Sequence, residues 1–176
     1  MRRGQLSMLR LLTWLIAGAL AGAVGTIAMD TVWYVRYRRA SGTQGPLAWE
    51  FSSGVDGWDQ VSAPGQVGKR LLSVVAPAGP PDRWARSAQN VVHWATGMGW
   101  GAPLGVVVGL TGRPTWAWGL VFGPAVWLAS YATLAPAGIY KPIWQYDTVT
   151  LSKDFSAHLV YGVTSAATLA ILLSRA

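Results

Sequence analysis

Four long apolar blocks, each bounded by charged or turn-forming residues, organise the chain. The first runs from Leu11 to Met29, with Arg2, Arg3 and Arg10 before it and Arg36, Arg38 and Arg39 behind. Trp14 and Trp33 would lie about 28 Å apart on a helix, which matches the hydrocarbon thickness and places both rings at interfaces. The basic start and the small residues around Ala17–Ala21 also fit a signal peptide, but the run is long enough to span and a basic flank follows. The second block is centred on Asn90–Gly109, a stretch of twenty residues without a charge. The third covers about 115–135. The fourth covers 148–173, with Asp147, Thr148 and Thr150 placed to open its helix. This pattern predicts an all-α polytopic membrane protein, one domain over residues 1–176, with spans near 9–35, 86–110, 115–135 and 148–173.

Residues 37–84 form the one sizeable extramembrane segment, rich in Gly, Pro and Ser, with Glu50, Asp56 and Asp59 among aromatics. Within it, residues 65–76 place Val67, Leu71, Leu72 and Val75 along one helical side, the signature of a short interfacial amphipathic helix. Pro77, Pro80 and Pro81 end it. Residues 110–114 and 136–147 are short connections, and short connections imply antiparallel neighbours. A four-transmembrane-helix bundle with both termini on one side follows.

Composition supports this picture. Of the 176 residues, 52% are hydrophobic and only 12% charged, about half the roughly 25% of soluble domains. The net charge of +7 would suggest nucleic acid in a soluble protein. Here most basic residues flank apolar blocks, where anionic headgroups and topology explain them, and no nucleic-acid-binding motif is present. The expected partners are the lipid bilayer and, through small-residue seams, other membrane-protein subunits. The larger-loop side carries nine Lys/Arg and the terminal side five. That count favours the larger loops in the cytoplasm, while the basic N-terminus pulls the other way. With no cysteine, disulfides, thiolate catalysis, iron–sulfur ligation and thiolate zinc sites are excluded.

Small and polar residues recur at four-residue spacing. Gly18, Gly22 and Thr26 lead to Asp30; Gly97, Gly101, Gly105 and Gly109 follow His93; Gly119 and Gly123 precede Trp127 and Tyr131; Asp154 and His158 precede Gly162, Ala166 and Ala170. Such seams let helices approach closely, winding slightly because the turn is 3.6 residues. Antiparallel packing then gathers Asp30, Asn90, His93, Tyr131, Asp154 and His158 at one membrane side. Every acidic residue and both histidines lie on that side or within about two turns of it, given the helical rise. Ionisable groups within spans mark function by default.

The cluster can bind a divalent metal through His93 and His158 with carboxylates completing the shell. It can relay protons, ligate a haem between the two histidines, or hold helices in register. Residues 97–102, Gly-Met-Gly-Trp-Gly-Ala, match the dinucleotide fingerprint, but that motif works only between a strand and a helix. Inside an apolar span it is packing. No nucleophile elbow, H-E-x-x-H or phosphate-binding loop occurs. The expectation is an integral membrane protein without enzymatic activity, whose one-sided His/Asp cluster binds or conducts protons or a small cation. An accessory subunit of a larger membrane complex and a b-type haem protein are the alternatives.

The histidine-led, glycine-rich second block, the G-L-V-F-G-P-A-V-W-L run at 119–128 with its L-A-P-A-G turn at 134–138, and S-A-H-L-V-Y at 156–161 resemble the YagU-like family of small bacterial inner-membrane proteins. The resemblance covers about the last 90 residues. It implies a multi-pass protein of the bacterial inner membrane with interest in His93 and His158, and nothing catalytic.

Overall fold

The computed structural model describes residues 3–76 and 78–174, with side chains from Ser7 onward. It is helical throughout its ordered elements: α1 (Arg3–Arg39), α2 (Pro46–Glu50), α3 (Ala63–Val75), α4 (Ala85–Thr111), α5 (Gly119–Leu134) and α6 (Thr148–Leu173), with single 3-10 turns before α4, α5 and α6. Three segments are long and apolar enough to cross a membrane: Ser7–Arg39, Trp116–Leu134 and Thr148–Leu173. The fourth long helix, α4, has 27 residues. Five glycines, two tryptophans, His93 and Pro103 lower its hydropathy, because so much of its surface is spent on close approach rather than on hydrocarbon side chains.

The two four-residue ladders on α1 and α4 interlock. Along the antiparallel pair, Trp14 meets Gly109, Gly18 meets Gly105, Gly22 meets Gly101, Thr26 meets Gly97, and Asp30 meets His93. At the two Gly–Gly rungs backbone lies directly on backbone, while Gly97 and Gly109 take the Thr26 and Trp14 side chains. A second seam joins α5 to α6, where Gly119 rests on the Gly162–Val163 backbone and Gly123 on the His158 carbonyl. Between these pairs α1 packs on α6, with Gly25 against Tyr161 and Ser165. Arg36 donates to the Lys153 carbonyl (2.7 Å) and to Ser156 Oγ (2.8 Å).

The lateral order is therefore α4–α1–α6–α5. This corrects the expectation that the short 110–114 turn makes its two helices packed neighbours. A short turn fixes antiparallel direction, but the glycine faces of α4 and α5 are committed to α1 and α6. A cleft is left between them.

The half of the molecule away from the larger loops is filled by Ala17, Ala21, Leu104, Val108, Ala166 and Leu169, flanked by Trp118 and Phe122. On the loop side α3 docks on α4, Gly68 lying against Ala88 and Val92. Leu72 joins Trp58, Val61 and Ala85 in a small cluster. This divides the apolar side expected for α3: Leu72 turns inward, whereas Leu71, Val74 and Val75 stay exposed.

A methyl at Gly22 would meet the Gly97 carbonyl and, at 3.0 Å, the Gly101 Cα, neither of which can move aside. Gly99, on the partner helix α4, faces open space. Gly22→Ala should therefore destabilise the detergent-solubilised protein by about 1–3 kcal/mol, the scale of overpacking. Gly99→Ala should leave stability unchanged or raise it, since alanine is the better helix former. Thermal melts of the two variants check the difference.

Candidate functional site

Asp30 ends the α1 ladder at a point where its side chain is only 8% exposed, and His93 Nε2 lies 2.7 Å from its Oδ2. An aspartate this buried requires a partner, and the interlocked seams supply the imidazole. His93 also meets the Trp94 ring edge-on.

The third member is Glu50, at the end of α2. Pro46 starts that helix, where a preset φ and a missing N–H are no handicap. Trp49 packs against Tyr34 and Tyr37 of α1, with ring centres 5.5 and 6.1 Å apart. Residues just past α2 are tied to the start of α4: Arg86 Nε and Asn90 Nδ2 both donate to the Phe51 carbonyl, at 2.9 and 3.1 Å. Gln89 donates to Ser52 Oγ, and its Oε1 accepts the Ser62 N–H. These bonds hold Glu50 over the pair, so that one ligand atom each from Asp30, Glu50 and His93 lies within 4.8 Å of the other two. Glu50 Oε1 is buried and accepts no hydrogen bond. Burial, and then the charge of Asp30, push the Glu50 carboxyl up to about 7.

The second pair is built differently. Asp154 Oδ2 accepts from Trp127 Nε1 (3.1 Å) and Tyr131 OH (2.9 Å). His158 Nδ1 lies 3.0 Å from the Asp154 carbonyl and 3.3 Å from its Oδ1. A carbonyl only accepts, so Nδ1 carries the proton, and Nε2 is the nitrogen left over. Here the carboxylate is satisfied by its own helix pair.

The expected single cluster is thus two centres. Asp30 and His93 form one, Asp154, Tyr131 and His158 the other, and Asn90 serves the first indirectly by anchoring the α2 end. Both histidines line the α4–α5 cleft, whose volume is about 500 Å³. Tyr161 of α6 closes its floor by donating to the Gly97 carbonyl at 2.7 Å. A polar cavity of about 620 Å³ lies on the loop side, lined by Asp30, Glu50, Arg36, Asn90 and Lys153. Trp33, Ser62 and His93 line both cavities, so His93 stands at their junction. For His93 and His158 to share a haem through Nε2, His93 would have to give up Asp30. The seam glycines all lie in helices, and Gly97–Ala102 runs inside α4, away from any strand-to-helix turn.

Sequence reasoning named Glu50 only as a loop acid and left out its role. The available signal was local: a Pro-initiated Trp-Glu turn carrying the chain's one glutamate. No protein-family profile, curated protein or solved structure matches the chain.

Because the Glu50 carboxyl sits near 7 in the folded protein and near 4.5 when unfolded, the folded state holds more protons between those values. Stability should then fall as pH rises through that window and level off above it. Melts from pH 5 to 8 should show this decline in the wild type and a flatter profile in Glu50→Gln.

Proposed function

We propose that the chain is a four-span integral membrane protein, without enzymatic activity, that binds a small divalent cation at Asp30, Glu50 and His93. The observation that carries this reading is the convergence of two carboxylates and one imidazole within 4.8 Å, one carboxylate oxygen buried and unpartnered. A buried carboxylate oxygen is costly until a proton or a cation meets it. Imidazole with carboxylates suits first-row divalent metals. Ligands 2.0–2.2 Å from a tetrahedral zinc sit roughly 3.3 Å apart, so His93 Nε2 and Asp30 Oδ2, now 2.7 Å apart, would open slightly while separations of up to 4.8 Å within the trio would close.

In this reading α4 is the fourth span, its 27 residues amounting to about 40 Å of helix. The cation arrives from the loop side through the polar cavity. The opposite half, closed by Leu104, Val108 and Leu169, favours binding over conduction in this conformation. The likeness to YagU-like proteins favours the bacterial inner membrane, and the basic-residue count favours the larger loops in the cytoplasm, against the basic N-terminus.

Equilibrium dialysis of the purified protein against Zn²⁺ tests this. About one zinc per chain is expected, held more tightly at pH 8 than at pH 6 because protons leave the ligands on binding. Glu50→Gln and His93→Ala should each weaken it by about tenfold or more, and His158→Ala should not. Wild-type zinc binding in all three variants, or none in the wild type, contradicts the proposal.

A further inference from the structure

The α4–α5 cleft has walls the cation centre does not use. Met29, Val67, Val92, Trp100, Val126 and Leu134 line its apolar part, beside polar residues that include Thr96, Ser130, Asp154 and His158, and its volume falls in the range of small-ligand pockets. It lies between helices α4 and α5, which the order of packing leaves unpaired. At the loop end it joins the polar cavity through Trp33, Ser62 and His93. That cavity is lined by two basic groups, Arg36 and Lys153. Both also line an adjoining recess with Thr148, Ser152 and Ser156, in which no acidic side chain takes part. Arg36 is held in place by Lys153, Ser156 and the Trp33 ring, 4.9 Å from its guanidinium carbon, and its remaining N–H donors are available to an anion. The same polar cavity is also lined by Asp30 and Glu50, which gather against His93.

We infer that the protein holds one anionic phospholipid, its acyl chain in the α4–α5 cleft and its phosphate at Arg36 and Lys153. A cleft with apolar side chains on both walls, joined through the loop-side cavity to a basic, hydroxyl-bearing recess, matches that amphiphile in both halves. A neutral lipid would leave the basic end unmatched. The inference rests on the proposed reading of α4 as a span, and the headgroup end shares the loop-side cavity with the cation centre.

The full-length protein, washed extensively in mild detergent, is assayed for retained lipid and then offered equal phosphatidylglycerol and phosphatidylcholine in mixed micelles. About one phosphatidylglycerol per chain should remain, with a preference of about tenfold, as two basic groups near an anionic headgroup suggest. Thr96→Trp and Ser130→Trp fill the cleft from opposite walls and should each lose the lipid while melting as cooperatively as the wild type. The double variant Arg36→Gln/Lys153→Gln should keep a lipid but lose the preference. No lipid retained by the wild type overturns the inference, as does equal retention in either tryptophan variant. A lipid-free dimer that the tryptophans dissociate assigns the cleft to a second copy and overturns it too. Zinc dialysis of the same samples separates this result from the cation reading.

Discussion

Backbone contact between α1 and α4 is the constraint on which the site depends. Where Gly18, Gly22, Gly101 and Gly105 meet, no side chain separates the helices, and the Gly18 and Gly101 carbonyls each lie against the facing glycine. Within lipid, hydrophobicity supplies little drive for helix association, so close van der Waals packing has to do more of it. Such contact permits one register. Sliding by a turn would push Trp14 or Thr26 into a glycine's place. The register that seats the glycines also sets Asp30 beside His93, one step further along both ladders. Packing and chemistry are thus continuous: the polar pair is the last rung of an apolar seam.

The α5–α6 seam repeats the device with another outcome. Its last rungs are Trp127 and Tyr131 against Asp154 and His158, and there the aromatic donors saturate the carboxylate. Asp30 has one imidazole, and the neighbouring Glu50 has an oxygen without a partner. Two similar seams therefore end in one satisfied and one unsatisfied carboxylate group. The second is the one with capacity to take up something further.

Much of this was legible before any coordinates. Four-residue spacing shows which residues share a helix face, and alternating direction shows which ends meet, so Asp30, His93, Tyr131, Asp154 and His158 could be assigned to one side. Lateral order could not. Loop length constrains direction and says nothing of which glycine face finds which, and the insertion of α1 between α4 and α6 depends on pairs such as Gly25 with Ser165. Glu50 was invisible for a different reason. Its position comes from irregular backbone pinned by Arg86, Asn90 and Gln89, contacts that no periodicity encodes. The same holds for the split face of α3, where glycine at positions 65 and 68, rather than leucine, marks the buried side.

Zinc-edge X-ray absorption of the zinc-loaded protein tests the central claim most directly, because it counts the imidazoles around the ion. The account predicts a shell of oxygen donors with a single imidazole, lost in His93→Ala. A shell containing two imidazoles would place the ion between His93 and His158 instead, and one with none would remove it from the seam's last rung; either would contradict the site described here.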